Sequence, residues 1–164
     1  MKILQLAAVC LVLAGCTTAY KAPVGESLPT LEVDVTYINA FDYYENGTDC
    51  SQTRLLPEEY SPYIKGTKPF PVKANAEIAF KPSYVIGLSI CTGVYSFTSK
   101  PNHDYQLYNT LVKDKDGDKA CRFNVVQKNR LQAPAKWEPV TSFKKRERVK
   151  GFLPESAHCE VLKK

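Results

Sequence analysis

Only two histidines occur in this 164-residue chain, and each has a chemically useful neighbour: His103 precedes Asp104, and His158 precedes Cys159. An imidazole beside a carboxylate is the smallest pairing that does general acid–base work. Adjacent residues of a strand point to opposite faces, however, so His103 and Asp104 are badly placed to act on one substrate. No serine sits in a nucleophile-elbow motif, and the histidines lack metal-ligand spacing. Asp114-Lys115-Asp116-Gly117-Asp118 invites a calcium loop. Counted from Asp114, position twelve is Val125; counted from Asp116 it is Gln127; a bidentate Glu is required there. The run reads as a hairpin tip. The expectation is a non-enzyme with no catalytic residues, no metal and no cofactor.

The sharpest charge feature is Lys144-Lys145-Arg146-Glu147-Arg148-Val149-Lys150. It reads either as a solvated edge strand, where lysines block unwanted pairing, or as a patch for an anionic partner formed by Lys144, Lys145, Arg146, Arg148 and Lys150. The formal charge of the whole chain is +5, too mild to imply nucleic-acid binding. Eight tyrosines (43, 44, 60, 63, 84, 95, 105 and 108) raise the question of a sugar-stacking surface, against the plainer reading that they pack the core.

The elements that must carry these residues are strands. Ten Tyr, seven Phe and one Trp stand against eleven Pro and eight Gly, a composition of sheets and turns. Leu31, Val33, Val35 and Tyr37 alternate with polar residues, as do Ala76, Ile78 and Phe80, the period of half-buried strands. Asn46-Gly47 marks a turn. One short helical turn is expected around Glu58-Glu59-Tyr60. Residues 85–97 are more uniformly apolar and read as one or two central strands, with Gly87 or Gly93 at a bend. Residues 105–113 and 120–128 flank the Asp-rich tip as a hairpin, with Cys121, Phe123 and Val125 on one face and Arg122 and Asn124 on the other. The tail from Lys136 adds one or two strands before Cys159. The fold expected is all-β: a small antiparallel β-sandwich, immunoglobulin-like or transthyretin-like, with two disulfides.

The N-terminus opens with Met1-Lys2 and an apolar run from Ile3 to Ala14 broken only by Gln5. The run falls short of the roughly 20 residues needed to span a bilayer and suits a signal peptide. It ends in Leu13-Ala14-Gly15-Cys16, which resembles the lipobox of bacterial lipoproteins. The resemblance implies diacylglyceryl transfer to the Cys16 sulfur, cleavage after Gly15 and acylation of the new amine, with the bilayer as partner. Two other readings compete: cleavage after Ala19, giving a soluble protein from Tyr20, and a buried apolar segment in which Cys16 is incidental. The lipobox reading divides the chain into a signal peptide (1–15), a lipidated Cys16 with flexible tether (16–29) and a β-sandwich domain (30–164). Thr17, not Asp, follows Cys16; in a Gram-negative cell that favours the outer membrane.

With Cys10 lost in the leader and Cys16 acylated, Cys50, Cys91, Cys121 and Cys159 remain, an even number in an oxidising compartment. They contain no CxxC pair. Three connectivities are open; the expected one is Cys50–Cys91 with Cys121–Cys159, which closes two loops of similar length. The stretch from Phe97 through Tyr105-Gln106-Leu107 to Cys121-Arg122-Phe123 is similar to one common in small β-sandwich lipoproteins of unknown function, and implies the fold without an activity. The function expected is a membrane-anchored binding or scaffolding module for an unknown envelope protein or polysaccharide. A small cell-envelope hydrolase, and a periplasmic inhibitor or accessory subunit, are the alternatives.

Overall fold

The computed structural model describes residues 19–33, 38–54, 56, 69–86, 89–113, 119–149 and 158–161. Among them every regular element is a strand: β1 (Thr30–Val33), β2 (Ile38–Asn46), β3 (Ser51–Arg54), β4 (Phe70–Pro71), β5 (Glu77–Ile86), β6 (Ser89–Thr92), β7 (Val94–Thr98), β8 (His103–Lys113), β9 (Lys119–Asn129), β10 (Glu138–Pro139), β11 (Lys144–Val149) and β12 (His158–Val161). The smaller sheet has the order β10-β9-β8-β1-β4 and the larger β12-β11-β7-β5-β2-β3, with β6 also on β5. The helical turn expected near Glu58 and the Asp114–Asp118 tip lie outside the described residues.

The pairing is antiparallel apart from β1 and β8, which run parallel. That exception follows from the route of the chain. After β1 it enters the larger sheet as β2 and β3, returns as β4 to pair antiparallel with one edge of β1, and leaves again for β5 to β7 before a crossover sets β8 along the other edge. The β8–β9 hairpin keeps one register from His103↔Asn129 to Lys113↔Lys119. Residues 85–97 carry strands as expected, with β7 inside the larger sheet between β11 and β5 and the bend at Gly93. Val85 and Ile86 finish β5, and the chain then returns as β6 and β7 in one continuous register against it. The break between β6 and β7 is Gly93, which that register sets opposite Pro82, a residue with no N–H to donate. A Cβ on Gly93 would also press on the Tyr95 ring.

Alternation puts an aromatic layer between the sheets. Phe123 of β9 tilts on Tyr95 of β7 with centroids 4.9 Å apart. Phe97 and Tyr105 meet at 4.6 Å, and Tyr43 and Phe41 both lie edge-on to Phe70. Tyr43, Tyr84, Tyr95 and Tyr105 are buried in this layer and Tyr44 in a second cluster on the outer face, so these five pack the interior, Tyr95 at the point where that interior borders a groove. Tyr108 is half-buried; Tyr60 and Tyr63 lie outside the described residues. Burial alone pushes the Tyr95 hydroxyl up to about 12.

The disulfides overturn the expected pairing. They are Cys50–Cys159 and Cys91–Cys121. The faces of the larger sheet explain why. Cys91 belongs to the core between the sheets, with Cys121 packed against it. Cys50 and Cys159 belong to a second cluster with Tyr44, Ala79 and Val94, on the opposite face. A Cys50–Cys91 bond would have to pass through the sheet. Cys91–Cys121 staples β6 to β9 across the sandwich, and Cys50–Cys159 ties the turn after β2 to β12, where the Cys159 N–H also donates to the Asp49 carbonyl at 2.7 Å.

Tyr20, within the segment expected as a tether up to Pro29, is held in the fold. Tyr20 is only 7% exposed, donates its hydroxyl to the Pro71 carbonyl, and packs edge-on against Tyr43 at 5.1 Å and Phe70 at 5.9 Å. Tyr20 therefore packs as part of the folded domain.

Candidate anion-binding groove

The basic run of β11 is not an edge. β11 pairs with β7 on one side and β12 on the other, so its alternate side chains go to opposite faces of an interior strand. Lys144 and Arg146 take the outer face. The Arg146 guanidinium is 4% exposed and pairs with Glu77. Its Nε donates to Ser96 Oγ at 2.7 Å and Nη1 to the Thr48 carbonyl at 2.6 Å. Lys144 Nζ reaches the same Glu77 Oε1 at 2.9 Å, and Ser96 Oγ donates to it at 2.8 Å. Burial would raise the Glu77 pKa, but hydrogen bonds from Lys144, Arg146 and Ser96, and the Arg146 charge, outweigh it and hold the carboxyl below 4.5. Arg146 is thus a structural ion, and Lys144 is half spent on the same partner. The Arg148 side chain and Lys150 lie outside the described residues.

Lys145 faces the other way. It joins an open groove of about 580 Å³ at the end of the sandwich, lined by Tyr95, Val112, Lys113, Ala120, Cys121, Arg122, Phe123 and Lys145. Both sheets contribute: β8 and β9 give Lys113 and Arg122, β7 and β11 give Tyr95 and Lys145. Tyr95 and Phe123 are buried and form an apolar floor, while the three cations are exposed. Among the described residues, no carboxylate lines the groove. The Cys91–Cys121 staple fixes one wall.

The pairing of charges elsewhere sets these three apart. Arg54, Lys73, Lys81, Lys128, Arg130, Lys144 and Arg146 each have a carboxylate partner. Among the described residues, Lys113, Arg122 and Lys145 have none. Lys21, Lys100 and Lys136 likewise have no described carboxylate partner, but none of them lines the groove. Three cations converging with no described counter-ion repel one another, and an anion placed between them relieves that repulsion.

No family model, curated protein or solved structure matches this chain.

His103 and Asp104 behave as their alternation requires. The His103 ring has Nδ1 2.7 Å from the Pro101 carbonyl. Asp104 instead accepts from Thr30 Oγ1 at 2.9 Å and pairs with Lys128 and Arg130. The two do not converge. The His158 side chain lies outside the described residues. Sequence reasoning found Lys145 but missed Lys113 and Arg122. The hairpin reading placed both near the open end of two strands; what the sequence does not carry is that β11 brings Lys145 up to them.

Proposed function

We propose that this chain is a lipid-anchored, non-enzymatic envelope module that holds an acidic polysaccharide segment in the groove between Lys113, Arg122 and Lys145. The anchor rests on the lipobox at Cys16, and the outer membrane of a Gram-negative envelope on Thr17 after it. The observation that carries the ligand class is the convergence of three exposed cations without a described counter-ion on an aromatic floor. Sugar rings bearing carboxylates or phosphates match both features: the anion meets the ammonium and guanidinium groups, and the ring's apolar face meets Phe123 and Tyr95.

Calorimetric titration with polygalacturonate, against neutral dextran of equal length, tests this reading. Binding is expected for the polyuronate alone, weakening as salt rises. The combined substitution Lys113→Ala, Arg122→Ala and Lys145→Ala removes roughly 0.5–1 kcal/mol per exposed contact, so affinity falls about tenfold or more. Its melting temperature stays near that of the parent, because none of the three side chains has a described charge partner. Equal binding of dextran, or unchanged polyuronate affinity in the triple variant, would remove the groove from consideration.

A further inference from the structure

We infer that the end of the sandwich opposite the groove rests in the membrane interface, with Trp137, Leu131 and Val24 as its contact residues. The inference depends on the Cys16 anchor proposed above and adds an orientation to it. Three exposed apolar side chains gather at that end: Val24 is 100% exposed, Leu131 76% and Trp137 43%. Short backbone links bring their loops together. The Asn102 N–H donates to the Ser27 carbonyl, and the Arg130 N–H to the Asn102 carbonyl, both at 2.9 Å. Arg130 Nη2 donates to the Leu28 carbonyl at 2.7 Å. Trp137 lies against Lys128 Nζ, 4.8 Å from the ring centroid.

The reach of the anchor selects this end. Tyr20 is the first buried residue among those described and four steps from Cys16, so the acylated cysteine lies within about 14 Å of it even when the chain is extended. The Tyr20 hydroxyl is bonded to Pro71, and Pro71 begins a row across the smaller sheet: Pro71↔Thr30, Thr30↔Asp104, Asp104↔Lys128. Trp137 sits on the last member of that row. Lys113 lies nine residues beyond Asp104 along β8, about 30 Å away at the strand rise. A domain leashed this closely sets the Tyr20–Trp137 row toward the lipid and the groove away from it. Trp and Leu beside Lys100, Lys128, Arg130 and Lys136 make a surface suited to the headgroup region, where an indole keeps its ring in the apolar layer and its N–H in the polar one.

Trp137 is the only tryptophan, so its emission reports on this end alone. The protein purified from its native membrane is reconstituted into vesicles of phosphatidylethanolamine and phosphatidylglycerol, and the mass of its N-terminal peptide is read in parallel. Acylated protein is expected to emit at shorter wavelength than in detergent-free buffer after enzymatic removal of the acyl chains, to resist iodide, and to be quenched by a spin label near the headgroups. Leu131→Asp, at an exposed loop position, reduces all three effects. Acylated protein with water-like Trp137 emission overturns the orientation while leaving the anchor in place. A peptide with no acyl mass overturns the anchor and the orientation built on it.

Discussion

Replacing Arg146 by alanine isolates a charge that the sequence presents as surface and the structure buries. The guanidinium makes three kinds of contact: Glu77 Oε1, Ser96 Oγ and the Thr48 carbonyl. Breaking a fully buried ion pair costs about 3–5 kcal/mol, mainly because the partner is left charged and unpaired. Here Glu77 keeps Lys144 and Ser96 and is 21% exposed, so the lower end, about 3 kcal/mol, applies. The Thr48 carbonyl loses its donor as well, which loosens the turn leading to Cys50. Urea unfolding should show a lower midpoint with an unchanged slope, and the melting temperature should fall on the order of 6–12 °C. Arg146→Met combined with Glu77→Leu should recover most of the loss, since apolar replacement of both buried partners is often neutral or better. A loss below about 1 kcal/mol for Arg146→Ala, the range of an exposed pair, would refute the buried-network argument.

Glu77 gives the same network a pH signature. Its folded pKa is held below 4.5, so its contribution is complete above the ordinary carboxylate range and is lost as pH falls through the folded value. Unfolding free energy measured from pH 6 to pH 3 should therefore drop less steeply in Glu77→Gln than in the parent; parallel slopes would discount the pairing. The staples differ in kind. Cys91→Ala with Cys121→Ala should cost about 2–4 kcal/mol and also weaken polyuronate binding, because Cys121 lines the groove. Removing Cys50–Cys159 should lower stability and leave binding intact. Denaturant midpoints and titrations on both double variants check the contrast, and equal binding losses would refute it.

The strands were legible wherever one face meets water. Cys121, Phe123 and Val125 against Arg122 and Asn124 gave the register of β9 directly, and Asn46-Gly47 gave the turn after β2. Legibility failed where a strand is covered on both faces. Ala79 is fully buried beside equally buried Phe80 and Ile78, so alternation cannot say which side carries the core. Cys50 and Cys91 look like equivalent half-buried positions in the chain, and only the three-dimensional sheet separates them. Gly47 shows the same limit. It reads as a turn residue, yet a Cβ there would strike the Glu77 carbonyl, a requirement set by a strand thirty residues away.

The groove illustrates the limit at the level of function. A run of five basic residues broken by Glu147 and Val149 suggests one patch, but an interior strand divides such a run by parity. Even positions supply Lys144 and Arg146 to Glu77 on the outer face, and Lys145 alone goes to the groove. Its companions Lys113 and Arg122 come from a hairpin whose own charges carry no hint of convergence. β8 then relates the two ends of the molecule: it starts at His103, next to the row that holds Tyr20 and Trp137, and finishes at Lys113. Under the proposed anchor, a leash of four residues at one end and a cationic groove with no described counter-ion at the other would make an arrangement suited to reaching from a bilayer to an acidic polymer. Moving the anchor by a long inserted linker after Thr18 should free the orientation without altering the groove's affinity, because the two ends share a rigid strand and no side chain.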